Sequence, residues 1–204
     1  MYLLNKNYHT FIFDLDDTLY SEIIYLDASY KRIGEFLSVQ VNIDAFLIYQ
    51  FLINEFKHNG RKKLFDKMFD FFSIDYKFLP KILNIMRTIK VDGKIYLNKE
   101  MYNILPKIIN DSNYVFVVTN GNVIQQKNKV KNIEWLFLDS SIIFVYANAY
   151  EKKPSNSSFV FIKNKYQIDE SSTIMIGDSR HDSEYAKNSK IDFLDIKSFK
   201  KLFN

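Results

Sequence analysis

Four short runs of apolar residues, rich in β-branched and aromatic types, stand out along the chain: Thr10 to Leu15, Tyr114 to Thr119, Ile142 to Ala147 and Thr173 to Gly177. Their apolar positions are consecutive rather than alternating, which predicts strands buried on both faces. Each run gives way to polar or glycine-containing residues, and helical spacing fills the stretches between the later ones. That order is the one a parallel sheet with covering helices requires. A fifth, weaker strand is predicted at Asp192 to Ile196.

The spacing predicts a helix from about Lys99 to Ile109, with Met101, Ile104, Leu105, Ile108 and Ile109 on one face. A second runs from Val123 toward Ile133, and a third covers Ser157 to Lys165, with Phe159, Val160, Ile162 and Tyr166 turned inward. Residues 20–91 contain no convincing strand and are too many for a loop. Within them Ile33, Phe36 and Leu37, then Phe46, Leu47, Tyr49, Phe51, Leu52 and Phe56, recur at helical spacing, punctuated by Gly60 and Pro80. The reading is an α/β core over 1–19 and 92–204, interrupted by a small helical domain over 20–91.

Composition narrows the chemistry. With 204 residues and 47% hydrophobic content, the chain can bury one core and carry a sizeable insertion. The formal charge of +4 is spread along the chain rather than gathered into a stripe, so small anions are the expected partners and nucleic acid is not. The absence of cysteine excludes disulfides, thiolate nucleophiles and cysteine-based metal sites. There is no signal-peptide pattern and no stretch of ~20 apolar residues, so the expectation is a cytoplasmic protein without a membrane span.

In open parallel sheets ligands bind beyond the carboxyl ends of the strands, so the residues just past each strand are the candidates. Asp14, Asp16, Asp17 and Thr18 come after the first, Thr119, Asn120 and Gly121 close the second, Lys153 and Pro154 come after the third, and Gly177, Asp178, Ser179 and Asp182 come at the end of the fourth. Carboxylates, one lysine and hydroxyl or amide donors suit phosphoryl transfer: a carboxylate can attack phosphorus while fixed donors hold the equatorial oxygens. Three or four carboxylates gathered together would repel one another without a cation, which points to a hard metal with oxygen ligands, magnesium being the natural one.

The segments DLDDTLY, VVTNG, KKP and IGDSRHD, in that order, resemble the four motifs of the haloacid dehalogenase superfamily. The resemblance implies a Rossmann-like parallel sheet core with helices on both faces and an inserted α-helical cap domain between the first and second motifs. It further implies a magnesium-dependent phosphatase acting on a small phosphorylated metabolite, such as a sugar, polyol, amino-alcohol or nucleoside phosphate. By this likeness Asp14 is the nucleophile that forms an aspartyl-phosphate and a metal ligand, and Asp16 is the general acid and base, its backbone carbonyl also on the metal. Thr119 and the amide of Asn120 grip the phosphate, Lys153 balances its charge and that of Asp14, and Asp178 binds magnesium. Asp182 acts on the metal directly or through water, and Thr18 supports the active-site turn.

Other readings remain beside these. A phosphomutase with this cap would share all four motifs, and a catalytically silent scaffold would keep the fold; a dehalogenase would lack an aspartate at the place of Asp16. Asp17 serves the local turn, Lys152 is a rival to Lys153, and His58, Arg61, Lys62 and Lys63 read as solvated surface. Trp135 reads as packing and His9 as exposed, while His181 is given no role. Tyr20, Ser21 and Glu22 fall at the hinge of the insertion. Two departures from the family pattern are Lys190, where a helix usually ends in glycine, and Leu97 with Asn98, which replace a proline-containing turn.

Overall fold

A computed structural model describes residues 2–3 and 6–203. The chain divides into two compact units, Met1–Glu22 with Ile95–Asn204, and Ile23–Lys94.

The first unit is built on a five-stranded parallel sheet. Its strands are β1 (Thr10–Phe13), β2 (Tyr114–Thr119), β3 (Ile142–Tyr146), β4 (Thr173–Gly177) and β5 (Asp192–Asp195). They lie side by side in the order β3-β2-β1-β4-β5. The chain thus fills one side of β1 first and then crosses to the other, leaving a switch point between β1 and β4, the place where such sheets open a crevice for ligands. Phe13 stands level with Val117 of β2 and Ile176 of β4, so three strand ends meet there.

The central strands are buried on both faces, as uninterrupted apolar runs demand. On one face Ile12, Phe116, Val118 and Met175 share a core with Phe159 and Ile162 of α7 (Ser157–Tyr166) and with Tyr185 and Ala186 of α8 (Arg180–Ser189). On the other, Phe13 meets Phe199 of α9 (Ile196–Lys201) edge to face, ring centroids 5.8 Å apart. Two further helices complete this unit, α5 (Lys99–Asp111) and α6 (Val123–Asn132). Val160 departs from the expectation of an inward face: it is 46% exposed, because Phe159 and Ile162 already fill the space against the sheet. Trp135 is buried, its indole N–H donating to Val130 O at 2.9 Å and its ring set against Phe144.

The second unit consists of α1 (Ile23–Val41), α2 (Ala45–Asn59), α3 (Leu64–Phe72) and α4 (Leu79–Thr88), with one short 3-10 turn at Tyr76–Phe78. Its core joins Leu26, Tyr30, Ile33 and Leu37 of α1 to Ile48 and Leu52 of α2, Met68 and Phe69 of α3 and Ile82 of α4. Gly60 caps α2 and Pro80 sits in the first turn of α4, where its missing N–H has no partner to lose. Phe46 and Leu47 share the helical spacing of their neighbours yet are 62% and 56% exposed, since they fall on the outer side of the first turn of α2. No helix among the described residues is long and apolar enough to cross a membrane.

Candidate active site

Beyond Phe13 the backbone stays tied to β4 for one more residue, the amide of Asp14 donating to Ile176 O at 2.9 Å. It then turns through Asp17, whose φ of 54° is the left-handed conformation that aspartate tolerates. The Asp17 carboxylate closes this turn by accepting from the Glu22 amide at 2.9 Å. Asn98 ties the turn down from a distance, its backbone N–H donating to Leu19 O and its side chain to Thr18 O. Asn98 therefore does by hydrogen bonding what a rigid turn would do by covalent restraint.

Asp14 and Lys153 are both buried and in contact. Lys153 Nζ donates to Asp14 Oδ1 at 2.5 Å, to Asp182 Oδ1 at 2.6 Å and to Val118 O at 2.7 Å, so all three of its protons are used. Burial alone would push this ammonium down, but the charges of Asp14 and Asp182 and the bonds to both prevail and hold it above its usual value. For Asp14 the balance is reversed: burial pushes it up to about 7, helped by the charges of Asp182 and Asp16, against the pull of Lys153.

Asp182 is held twice, its other oxygen accepting from the Ser179 hydroxyl at 2.6 Å and amide at 3.1 Å in a capping box that starts α8. Gly177 makes this possible: a Cβ there would lie 2.5 Å from Asp182 Oδ2. The rival Lys152 is exposed and outside this network, whereas Lys153 is locked into it by Asn120. The Asn120 side chain accepts from the Lys153 amide at 2.7 Å and donates to its carbonyl at 2.9 Å, a reciprocal pair that joins the loops after β2 and β3. Asn148 adds a second tie by accepting from the Gly121 amide at 2.9 Å. Gly121 has a φ of 125°, and a side chain there would strike Gln126.

Carboxylate oxygens of Asp14, Asp178 and Asp182 all lie within 4.8 Å of one another. Asp178 is exposed, and its carboxyl is pushed up by partial burial and by the neighbouring charges of Asp182 and Asp17. Thr18 Oγ1 reaches Asp178 Oδ1 at 3.5 Å. Oxygen donors with unbalanced negative charge fit a hard divalent cation such as magnesium, which the carboxylates of Asp14, Asp178 and Asp182 could hold.

The surroundings of Asp16 were not read from the sequence. Its Oδ1 accepts from the Tyr20 hydroxyl at 2.6 Å, and its Oδ2 from Lys129 Nζ at 2.7 Å and Gln126 Nε2 at 3.4 Å. Lys129 also donates to Glu22 Oε1 at 2.5 Å, while Thr119 Oγ1 donates to Gln126 Oε1 at 3.3 Å. Gln126 and Lys129 are the buried residues of α6, which otherwise reads as a polar surface helix. Their spacing of three, on a segment with few apolar residues, was the available signal. His181 is exposed.

With this geometry in view, a model of the haloacid dehalogenase-like hydrolases matches residues 11–196. No curated protein matches the chain significantly by sequence. Among solved structures, YfnB of Bacillus subtilis, bound to magnesium, is similar at 17% identity and a TM-score of 0.63, over 92% of this chain and 86% of that one. A HAD phosphatase from Thermococcus onnurineus is similar at 17% identity and 0.59, over 90% and 84%. The defluorinating L-2-haloacid dehalogenase Rha0230 is similar at 12% identity and 0.59, over 93% and 81%. At such identities the likeness is one of fold.

Proposed function

From the premise that this chain belongs to the haloacid dehalogenase-like hydrolases, we propose that it is a magnesium-dependent phosphatase of small phosphomonoesters. The observation that carries this reading is the convergence of Asp14, Lys153, Asp178 and Asp182 at neighbouring strand ends. Asp14 attacks phosphorus and the ester oxygen departs, leaving an aspartyl-phosphate; Asp16 donates the proton to the departing oxygen and then takes one from the water that cleaves the acyl phosphate. Thr119 and the Asn120 amide hold the phosphoryl oxygens, and Lys153 offsets their charge and keeps Asp14 aimed. Asp14, Asp178 and the Asp16 carbonyl, with Asp182 in support, would hold magnesium, whose positive charge would offset repulsion between the nucleophile and the phosphate. The helical insertion is the part assigned to selecting the leaving group.

The dehalogenase among the structural relatives poses the contrast in chemistry, since displacement of halide from carbon calls for neither an acid catalyst nor a cation. Asp16 and the acidic cluster favour phosphoryl transfer. The test is release of inorganic phosphate from an aryl phosphate and a panel of sugar, polyol, amino-alcohol and nucleoside phosphates, with magnesium and with EDTA. Magnesium-dependent release is expected. Halide release from a 2-haloacid with every phosphate intact would overturn the assignment, as would full activity after metal removal. A bisphosphate requirement with net isomerisation would mark a mutase instead.

A further inference from the structure

We propose that Lys129 is the positioning residue of the acid/base carboxylate, fixing the turn 16–22 to α6; this role rests on the phosphatase reading. Lys129 is wholly buried and reaches both ends of that turn, Asp16 Oδ2 at 2.7 Å and Glu22 Oε1 at 2.5 Å. Inside the turn the Glu22 amide bonds Asp17, and from the other side Tyr20 bonds Asp16. The Asp16 carboxylate is thus gripped on both oxygens. Three residues earlier on the same helix, Gln126 spans Asp16 and Thr119, so α6 links the acid/base group to the hydroxyl assigned to the phosphate.

The polarity of α6 is what sets this apart from ordinary packing. The helix leaves Ile124 58% exposed and buries an amide and an ammonium instead. Burying an ammonium costs several kcal/mol before pairing, and a leucine of similar volume would fill the space more cheaply. A buried cation shared by two carboxylates does what leucine does not: it fixes direction. Proton transfer to a departing oxygen depends on that direction, and a displacement of about 1 Å can cost a hundredfold in rate.

The test is steady-state kinetics of wild type, Lys129→Met and Lys129→Arg on aryl phosphates of graded leaving-group acidity and on an alkyl phosphate, with inhibition by inorganic phosphate measured in parallel. An alkoxide leaves poorly without a proton, whereas a nitrophenolate needs little help. We expect Lys129→Met to lose about a hundredfold in kcat/KM, which reports the steps up to leaving-group departure, on the alkyl phosphate and about tenfold or less on the nitrophenyl ester, with phosphate inhibition changed less than about threefold. Lys129→Arg keeps the charge but shifts the carboxylate, and should show the same dependence on leaving group in milder form. A loss in kcat/KM equal across leaving groups in either folded variant, or no loss, would overturn the role. A wild type inactive on every phosphate would instead overturn the phosphatase reading and this role with it.

Discussion

Lys153 Nζ stands 2.5 Å from Asp14 Oδ1, an ion pair between residues 139 positions apart in sequence. Even so, burial pushes Asp14 up to about 7, so the lysine alone does not hold the carboxylate fully ionised at neutral pH. A second cation bound here would have a defined task. The group binds a proton in the folded chain over a range where the unfolded chain, at 3.8, has released it. Its contribution to stability is therefore full below the unfolded value and lost as pH rises through about 7.

Magnesium requires the ionised carboxylate and competes with that proton. Thermal unfolding with and without saturating magnesium should show a larger stabilisation at about pH 8 than at about pH 5.5. A stabilisation independent of pH would detach Asp14 from the cation.

Lys153→Met removes one ammonium from between two buried carboxylates. Breaking a buried pair on one side costs about 3–5 kcal/mol, so urea unfolding should shift by that amount in metal-free protein. Adding Asp182→Asn should recover part of the loss, because the two side chains share one bond. Additive losses would contradict the coupling.

Asp14→Asn should lower phosphate release by at least about a thousandfold while circular dichroism remains that of the wild type. Asp16→Asn should keep inorganic phosphate as an inhibitor of similar strength and still form little product. Near-normal turnover by Asp14→Asn would remove the nucleophile assignment.

Lys190 ends α8 with a φ of 57°, and Ile191 N–H returns to Ala186 O at 3.0 Å in the pattern that favours glycine at this position. A left-handed lysine costs about 1–2 kcal/mol, partly recovered through lower unfolded-state entropy, so Lys190→Gly should stabilise by about 0.5–1 kcal/mol. Calorimetry should show a rise of about 2 °C, with activity unchanged.

The sheet was legible because a strand buried on both faces has to be apolar throughout, and the apolar runs lie where β1 to β4 lie, with β1 ending at Phe13 rather than Leu15. Asp14, Thr119, Lys153 and Asp178 could be singled out because a parallel sheet delivers the carboxyl end of every strand, and the loop beyond it, to one edge. The grip on Asp16 was not legible. Its partner Lys129 is 113 positions away on a helix with the composition of a solvated surface, and a lysine's burial depends on carboxylates that no local pattern announces. The same limit explains Val160, Phe46 and Leu47: helical spacing marks a stripe, but which edge of the stripe meets the core is decided by neighbours distant in sequence.

Gly177 acts as a mechanical stop. Its α-hydrogen faces the Asp182 carboxylate where any carbon would collide, so the gap between sheet and helix at this point is set by the smallest residue available. A single methyl group at 177 would be transmitted through Asp182 to the shared ammonium and on to Asp14. The tolerance of the whole centre is thereby fixed by a residue with no functional group of its own.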